Sequence, residues 1–160
     1  PPEGRKLVFV GDLVDRGPDT PGVLRLVMRA CEKGYAYVVR GNHDDKLSRK
    51  LKGRDVNITH GLQESLDQLA KEPPDLIERL GVFLDTLPYH LIFDGGKLVV
   101  AHAGLRAELQ GRTSDRVRAF CLYGQTNGEM DSFGLPIRLN WAADYKGTAK
   151  VVYGHTPNLD

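Results

Sequence analysis

Four short apolar runs, each followed at once by a polar turn, constrain this chain more than any other feature. Leu7-Val8-Phe9-Val10 leads into Gly11-Asp12-Leu13-Val14-Asp15-Arg16-Gly17, and Ala36-Tyr37-Val38-Val39 into Arg40-Gly41-Asn42-His43-Asp44. Leu98-Val99-Val100-Ala101 leads into His102-Ala103-Gly104, and Val151-Val152-Tyr153 into Gly154-His155-Thr156. Short β-branched runs bounded by glycine predict strands, and the first is expected to be buried. Parallel strands of one sheet bring like ends to one edge, where open α/β sheets bind ligands. The four turns are therefore expected along a common edge.

Helical patterns separate these strands. Between 20 and 33, apolar residues fall at Val23, Leu24, Leu26, Val27, Ala30 and Cys31, with Asp19 or Thr20 as cap, Pro21 in the first turn and Gly34 at the end. A second stripe runs over 74–87 through Leu76, Ile77, Leu80, Phe83, Leu84 and Leu87. Shorter helices are expected over 45–52, 62–71 and 115–122. Residues 89–101 predict a hairpin with Asp94-Gly95-Gly96 at its tip. Alternating strands and helices beside an antiparallel hairpin give an α/β class with a mixed sheet. Residues 124–148, rich in glycine, predict either a functional loop or an unresolved strand pair.

At 160 residues the chain has one domain's length. A formal net charge of +1 excludes the global basic field of a dedicated nucleic-acid binder. Cys31 and Cys121 lie far apart inside helical patterns, which predicts buried, reduced thiols of a cytoplasmic protein. No apolar run reaches membrane-spanning length, so no membrane association is expected.

Asp12, Asn42, His102 and His155 each sit just beyond an apolar strand. A carboxylate, an amide oxygen and two imidazoles suit a transition metal such as Mn²⁺, Fe or Zn²⁺ better than Mg²⁺ or Ca²⁺. Arg16 offers a planar fork for phosphoryl oxygens.

In this order the four motifs resemble those of the calcineurin-like metallophosphatases, and Gly-Asp-x-Val-Asp-Arg-Gly resembles their phosphoprotein-phosphatase branch. The resemblance implies an αββα sandwich with mixed sheets and a two-metal phosphoesterase. It implies two divalent transition metals, Mn²⁺ foremost and Ni²⁺, Fe or Zn²⁺ as alternatives. Asp12 would bridge them, with Asn42, His102 and His155 completing the second metal's set of ligands. His43 would act as general acid oriented by Asp15, and Arg16 would grip the phosphoryl oxygens. Arg40, where the polynucleotide branch is expected to carry proline, is a further candidate for substrate contact. Attack would be in line, by a hydroxide whose pKa the metals lower.

Further stretches, among them 57–65, 94–104, 123–129, 133–136 and 140–147, are similar to the phosphatase domain of bacterial polynucleotide kinase-phosphatases. That similarity implies an RNA end-healing enzyme acting on 3′-phosphate or 2′,3′-cyclic phosphate ends, with kinase and ligase-like domains in the same bacterial protein. A protein serine/threonine phosphatase, a diadenosine tetraphosphatase and a non-catalytic fragment are the alternatives. The superfamily opens with an Asp-x-His strand, which is not found upstream of Gly11. The chain is therefore expected to be a partial domain, 1–160, lacking its first and last strands. Its first metal site would be incomplete and its activity as given low.

Other residues leave two readings open. Lys46, Arg49, Lys50, Lys52 and Arg54 form either a solvated helix face or a contact with RNA phosphates. Tyr123, Trp141 and Tyr145 either stack on a terminal base or belong to the core. His60 and His90 are expected not to be ligands.

Overall fold

The computed structural model describes residues 2–132, 134 and 136–156. Phe133 and Leu135 of the 133–136 stretch, and residues 157–160 after the last motif, lie outside the described residues. The chain divides into two compact units, Pro1–Pro88 and Tyr89–Asp160.

In the first unit β1 (Leu7–Phe9) runs parallel to β2 (Ala36–Val38), with Leu7 beside Ala36 and Phe9 beside Val38. The crossover between them is α1 (Thr20–Glu32). Asp19 caps it, its carboxylate accepting the Gly22 N–H at 2.8 Å, and Pro21 sits in the first turn, where no N–H is needed. Three helices follow: α2 (Asn42–Leu51), α3 (Leu62–Leu69) and α4 (Pro74–Thr86). Leu24, Leu47, Leu62, Leu80 and Leu84 are fully buried together. Each contributes roughly 1.5–3 kcal/mol relative to exposure.

Two expectations change here. Helix α2 begins at Asn42 rather than at 45, because Gly41 takes the capping position and the Asp44 carboxylate accepts its N–H at 2.8 Å. Strand β1 is not buried: Leu7 is 46 % and Val8 40 % exposed. Among the described residues β1 pairs only with β2, so its other side lacks a strand that would cover it.

In the second unit β3 (His90–Phe93) and β4 (Leu98–Ala101) form the expected hairpin, turned through a short 3₁₀ segment at Asp94–Gly96. Next comes α5 (Asp115–Tyr123), capped by Ser114, whose hydroxyl accepts the Val117 N–H at 3.2 Å. An antiparallel pair, β5 (Thr126–Met130) and β6 (Pro136–Arg138), occupies much of the irregular stretch, which favours the strand-pair reading. The last strand, β7 (Lys150–Val152), lies parallel to β4. Val99, Ala101, Leu105, Val117 and Cys121 form this unit's core.

The four ligand-tipped strands thus form two parallel pairs, β1–β2 and β4–β7, rather than one sheet. Within each pair the two polar turns still leave the same edge, since parallel neighbours end together.

Cys121 is fully buried, and burial pushes its thiol up to about 12 from an ordinary 9.0. At pH 8 that leaves roughly a thousandfold less thiolate than a free cysteine holds. A Cys31→Ser protein is therefore expected to stay unlabelled by a disulfide-exchange reagent at pH 8 until denaturant is added. Stoichiometric labelling of the folded protein would contradict this packing.

Candidate functional site

In the first unit the candidate residues gather where the β1 and β2 turns meet. The two chains touch backbone to backbone. A Cβ placed on Gly11, which sits at φ +88°, would lie 2.5 Å from the Gly41 nitrogen. A Cβ on Gly41 would run into the Asp12 carboxylate. Only glycine fits at either position.

Asp44, fully buried in the first turn of α2, closes this junction. Its Oδ2 accepts the N–H groups of Asp12 and Gly41, each at 2.8 Å, and its Oδ1 accepts that of Leu13 at 2.9 Å. Burial pushes its carboxyl up to about 6, while the three N–H donors pull it the other way. Asp12 returns the contact, its Oδ1 accepting the His43 N–H at 3.1 Å. Asp12 itself is exposed, and Asn42 opens α2 half-buried.

A second chain of contacts holds His43. Its Nδ1 lies 2.5 Å from Asp15 Oδ2, and its Nε2 lies 2.8 Å from Arg16 Nη2. A guanidinium only donates, so in this contact Nε2 faces Arg16 as the acceptor while Nδ1 faces the Asp15 carboxylate. Ser65 on α3 fixes Asp15 in turn: its hydroxyl donates to Asp15 Oδ1 at 2.7 Å and accepts the Asp15 N–H at 3.0 Å. The His60 carbonyl accepts from Arg16 Nε at 3.4 Å.

The second unit carries its own group of candidate residues, after β4 and β7. The Gly154 N–H donates to the His102 carbonyl at 2.8 Å, which ties the two turns together. His102 is 2 % exposed, and its Nε2 stands 2.9 Å from His155 Nδ1, the rings meeting edge to face. Two nitrogens bound at right angles about 2.1 Å from one ion stand about 3 Å apart. The imidazole pair therefore fits two neighbouring ligands of one divalent metal.

Backbone strain gathers at these residues. Asp12, Asp15, Arg16 and His155 all have left-handed φ, between 53° and 72°. Such conformations cost roughly 1–3 kcal/mol each and collect at functional sites.

Arg40 is the one candidate whose placement argues against its expected role. Its guanidinium is buried, 3.3 Å from Asp45 and bonded to the Asp85 carbonyl. Arg40 is a packing residue, drawn inward by a buried carboxylate. Of the basic cluster, Lys46 donates to Thr59 Oγ1 at 2.7 Å and Lys52 pairs with Asp85 at 2.5 Å, so both act within the unit. His90 Nε2 accepts the Gly111 N–H at 3.1 Å. Trp141 is buried, so the core reading applies to it.

Sequence reading missed Asp44, Ser65 and the His60 carbonyl. For Asp44 a signal existed: an acidic residue three positions after a glycine cap is a helix-start signature. Ser65 and the His60 carbonyl act across the fold, and no spacing announces that.

Comparison with known proteins matches residues 1–159 to the family described as calcineurin-like phosphoesterase. Bis(5′-nucleosyl)-tetraphosphatase PrpE [asymmetrical] of Bacillus subtilis strain 168 is 49 % identical over 159 residues, 97 % of this chain and 65 % of the relative. The protein of that name from Geobacillus sp. strain WCH70 is 43 % identical over 160 residues, again 65 % of its length. A solved structure, "Crystal structure of a putative diadenosine tetraphosphatase", aligns with a TM-score of 0.61 and 31 % identity over 94 % of this chain and 61 % of that one. The chain thus spans just under two thirds of the relatives it matches. The α/β architecture with mixed sheets is that of this fold.

These relatives correct one expectation. They are named as nucleoside tetraphosphatases, and the match takes up most of their length. RNA ends as partner, with kinase and ligase-like domains in the same protein, is overturned.

The Asp44 clamp gives a direct test. Asp44→Ala leaves three backbone N–H groups without their acceptor, a loss of about 3 kcal/mol. For a chain of this size that lowers the melting temperature by roughly 6–12 °C. Asp44→Asn, which keeps one acceptor oxygen, is expected to lose less. Thermal denaturation followed by circular dichroism checks both, and an unchanged Asp44→Ala midpoint would remove the clamp from the account.

Proposed function

This chain belongs to the calcineurin-like phosphoesterase family, and we propose that it is a metal-dependent hydrolase that cleaves dinucleoside tetraphosphates asymmetrically. The observation that carries the reading is the Asp15–His43–Arg16 chain of contacts beside the Asp12 carboxylate. The names of the relatives at 43 % and 49 % identity support the substrate class. A cytoplasmic location belongs to the same proposal, supported by two cysteines that form no disulfide.

Asp12, Asn42, His102 and His155 are the proposed metal ligands, in keeping with their carboxylate, amide and imidazole donors. Two divalent transition metals, Mn²⁺ among them, would supply Lewis-acid polarisation of the phosphoryl oxygens and a more acidic water. The chain's own groups do the rest. Arg16 turns from His43 to a phosphoryl oxygen, where its fork meets growing negative charge. Released from Arg16, His43 Nε2 takes a proton, and Asp15 holds the resulting imidazolium in place. Water forms a bond to a phosphorus next to one end of the tetraphosphate and gives up its proton to solvent, while the P–O bond to the bridging oxygen breaks. His43 gives its proton to that leaving oxygen. The products are a nucleoside triphosphate and a nucleoside monophosphate.

With Mn²⁺ present, diadenosine tetraphosphate is expected to yield ATP and AMP in equal amounts. A phosphopeptide and an oligoribonucleotide with a 2′,3′-cyclic end should react far more slowly. Product analysis by ion-exchange chromatography reads the outcome. Two ADP per substrate, or faster release from the phosphopeptide, would contradict the proposal. His43→Ala is expected to lower kcat on the tetraphosphate by about 10²–10⁴.

A further inference from the structure

The second unit holds a cleft of about 510 Å³ that opens beside His155. That volume falls in the range of small-molecule sites. Its floor is Trp141, 6 % exposed, whose indole N–H donates to the Ala103 carbonyl at 3.1 Å. Gly104 exists to admit this ring: a Cβ there would collide with the indole. The ring is therefore fixed in position. Two tyrosines line the cleft, and neither is core: Tyr123 is 45 % and Tyr153 43 % exposed. Tyr153 leans on Trp141 with ring centres 4.9 Å apart. At the His155 end, Arg138 also lines the cleft and donates to Thr156 Oγ1 at 3.1 Å. The amides of Gln125 and Asn140 complete the lining.

This combination has a specific chemistry. Open aromatic faces stack on a flat heterocycle, amides meet its polar edge, and a guanidinium next to a proposed metal ligand suits the attached phosphate. An aliphatic ligand would use neither the rings nor the amides. We propose that this cleft is a nucleoside subsite, in which Tyr153 and Tyr123 stack on the base and Arg138 meets the phosphate that leads toward His155. The proposal rests on the nucleotide-hydrolase reading for its substrate, yet its binding test does not depend on turnover. It also gives a role to Trp141 and Tyr123, two of the aromatic residues left open by the sequence. Trp141 is the floor, Tyr123 is a wall, and Tyr153, hidden inside the fourth strand motif, is the other wall.

Trp141 is the only tryptophan of the chain, so its emission reports on the cleft alone. AMP, titrated into the metal-free protein, is expected to quench that emission saturably, and inorganic tripolyphosphate is not. Base stacking is worth roughly tenfold or more in affinity. Tyr153→Ala should weaken AMP binding by about that factor, and Tyr153→Phe, which keeps the ring, should restore it. In turnover, Tyr153→Ala should raise KM for diadenosine tetraphosphate, and Tyr153→Phe should restore it. Tripolyphosphate quenching as well as AMP, or AMP binding that Tyr153→Ala leaves intact, would overturn the subsite even if the tetraphosphate is hydrolysed. Tyr153-dependent AMP binding without tetraphosphate hydrolysis would instead support the subsite and sink the proposed reaction.

Discussion

One buried carboxylate sets the geometry on which the candidate residues of the first unit depend. Asp44 takes N–H groups from Asp12, Leu13 and Gly41, and so joins two turns that are about thirty residues apart. A buried charge is costly unless it is fully hydrogen-bonded, and here three donors meet it. The approach is close enough only because Gly11 and Gly41 carry no side chains. Everything downstream inherits this register. Asp12 meets the His43 backbone, and His43 enters α2 at its positive end, where negative charge is favoured. The ring then reaches Asp15 and Arg16 from opposite sides.

The second unit is organised differently. The parallel pairing of β4 and β7, extended by the Gly154 bond to the His102 carbonyl, carries two imidazoles to within 2.9 Å. Trp141, wedged against Gly104, gives the neighbouring cleft a rigid base. Precision thus comes from a polar network in one unit and from strand pairing with aromatic packing in the other. Both devices make the left-handed backbone at Asp12, Asp15, Arg16 and His155 tolerable.

Much of this was legible in the sequence because local patterns carry it. The apolar stripe over 74–87 became α4, Asp19 and Pro21 marked the start of α1, and the Asp-Gly-Gly tip announced the β3–β4 hairpin. The ligand-type residues stood out because each follows a strand. What stayed hidden depends on long-range partners. Arg40 reads as a candidate for substrate contact, yet in the fold Asp45 and the Asp85 carbonyl hold it in the interior. Ser65 and His60 gain their roles only when α3 and the loop before it pack on the Asp15–Arg16 turn. The four similar strand motifs suggested one sheet, yet pattern alone does not say which strands pair. The substrate class was also beyond the motifs, since the superfamily shares them.

The central claim is that this chain's carboxylate and imidazoles hold the metal that its phosphate chemistry needs. Crystals soaked in Mn²⁺ and measured for anomalous scattering test it most directly. The account predicts a manganese peak held by the proposed ligands Asp12, Asn42, His102 and His155, with the His102 Nε2 and His155 Nδ1 nitrogens about 2.1 Å or slightly more from the ion. A saturating soak that leaves these residues without a peak, or places manganese on other residues, would contradict it.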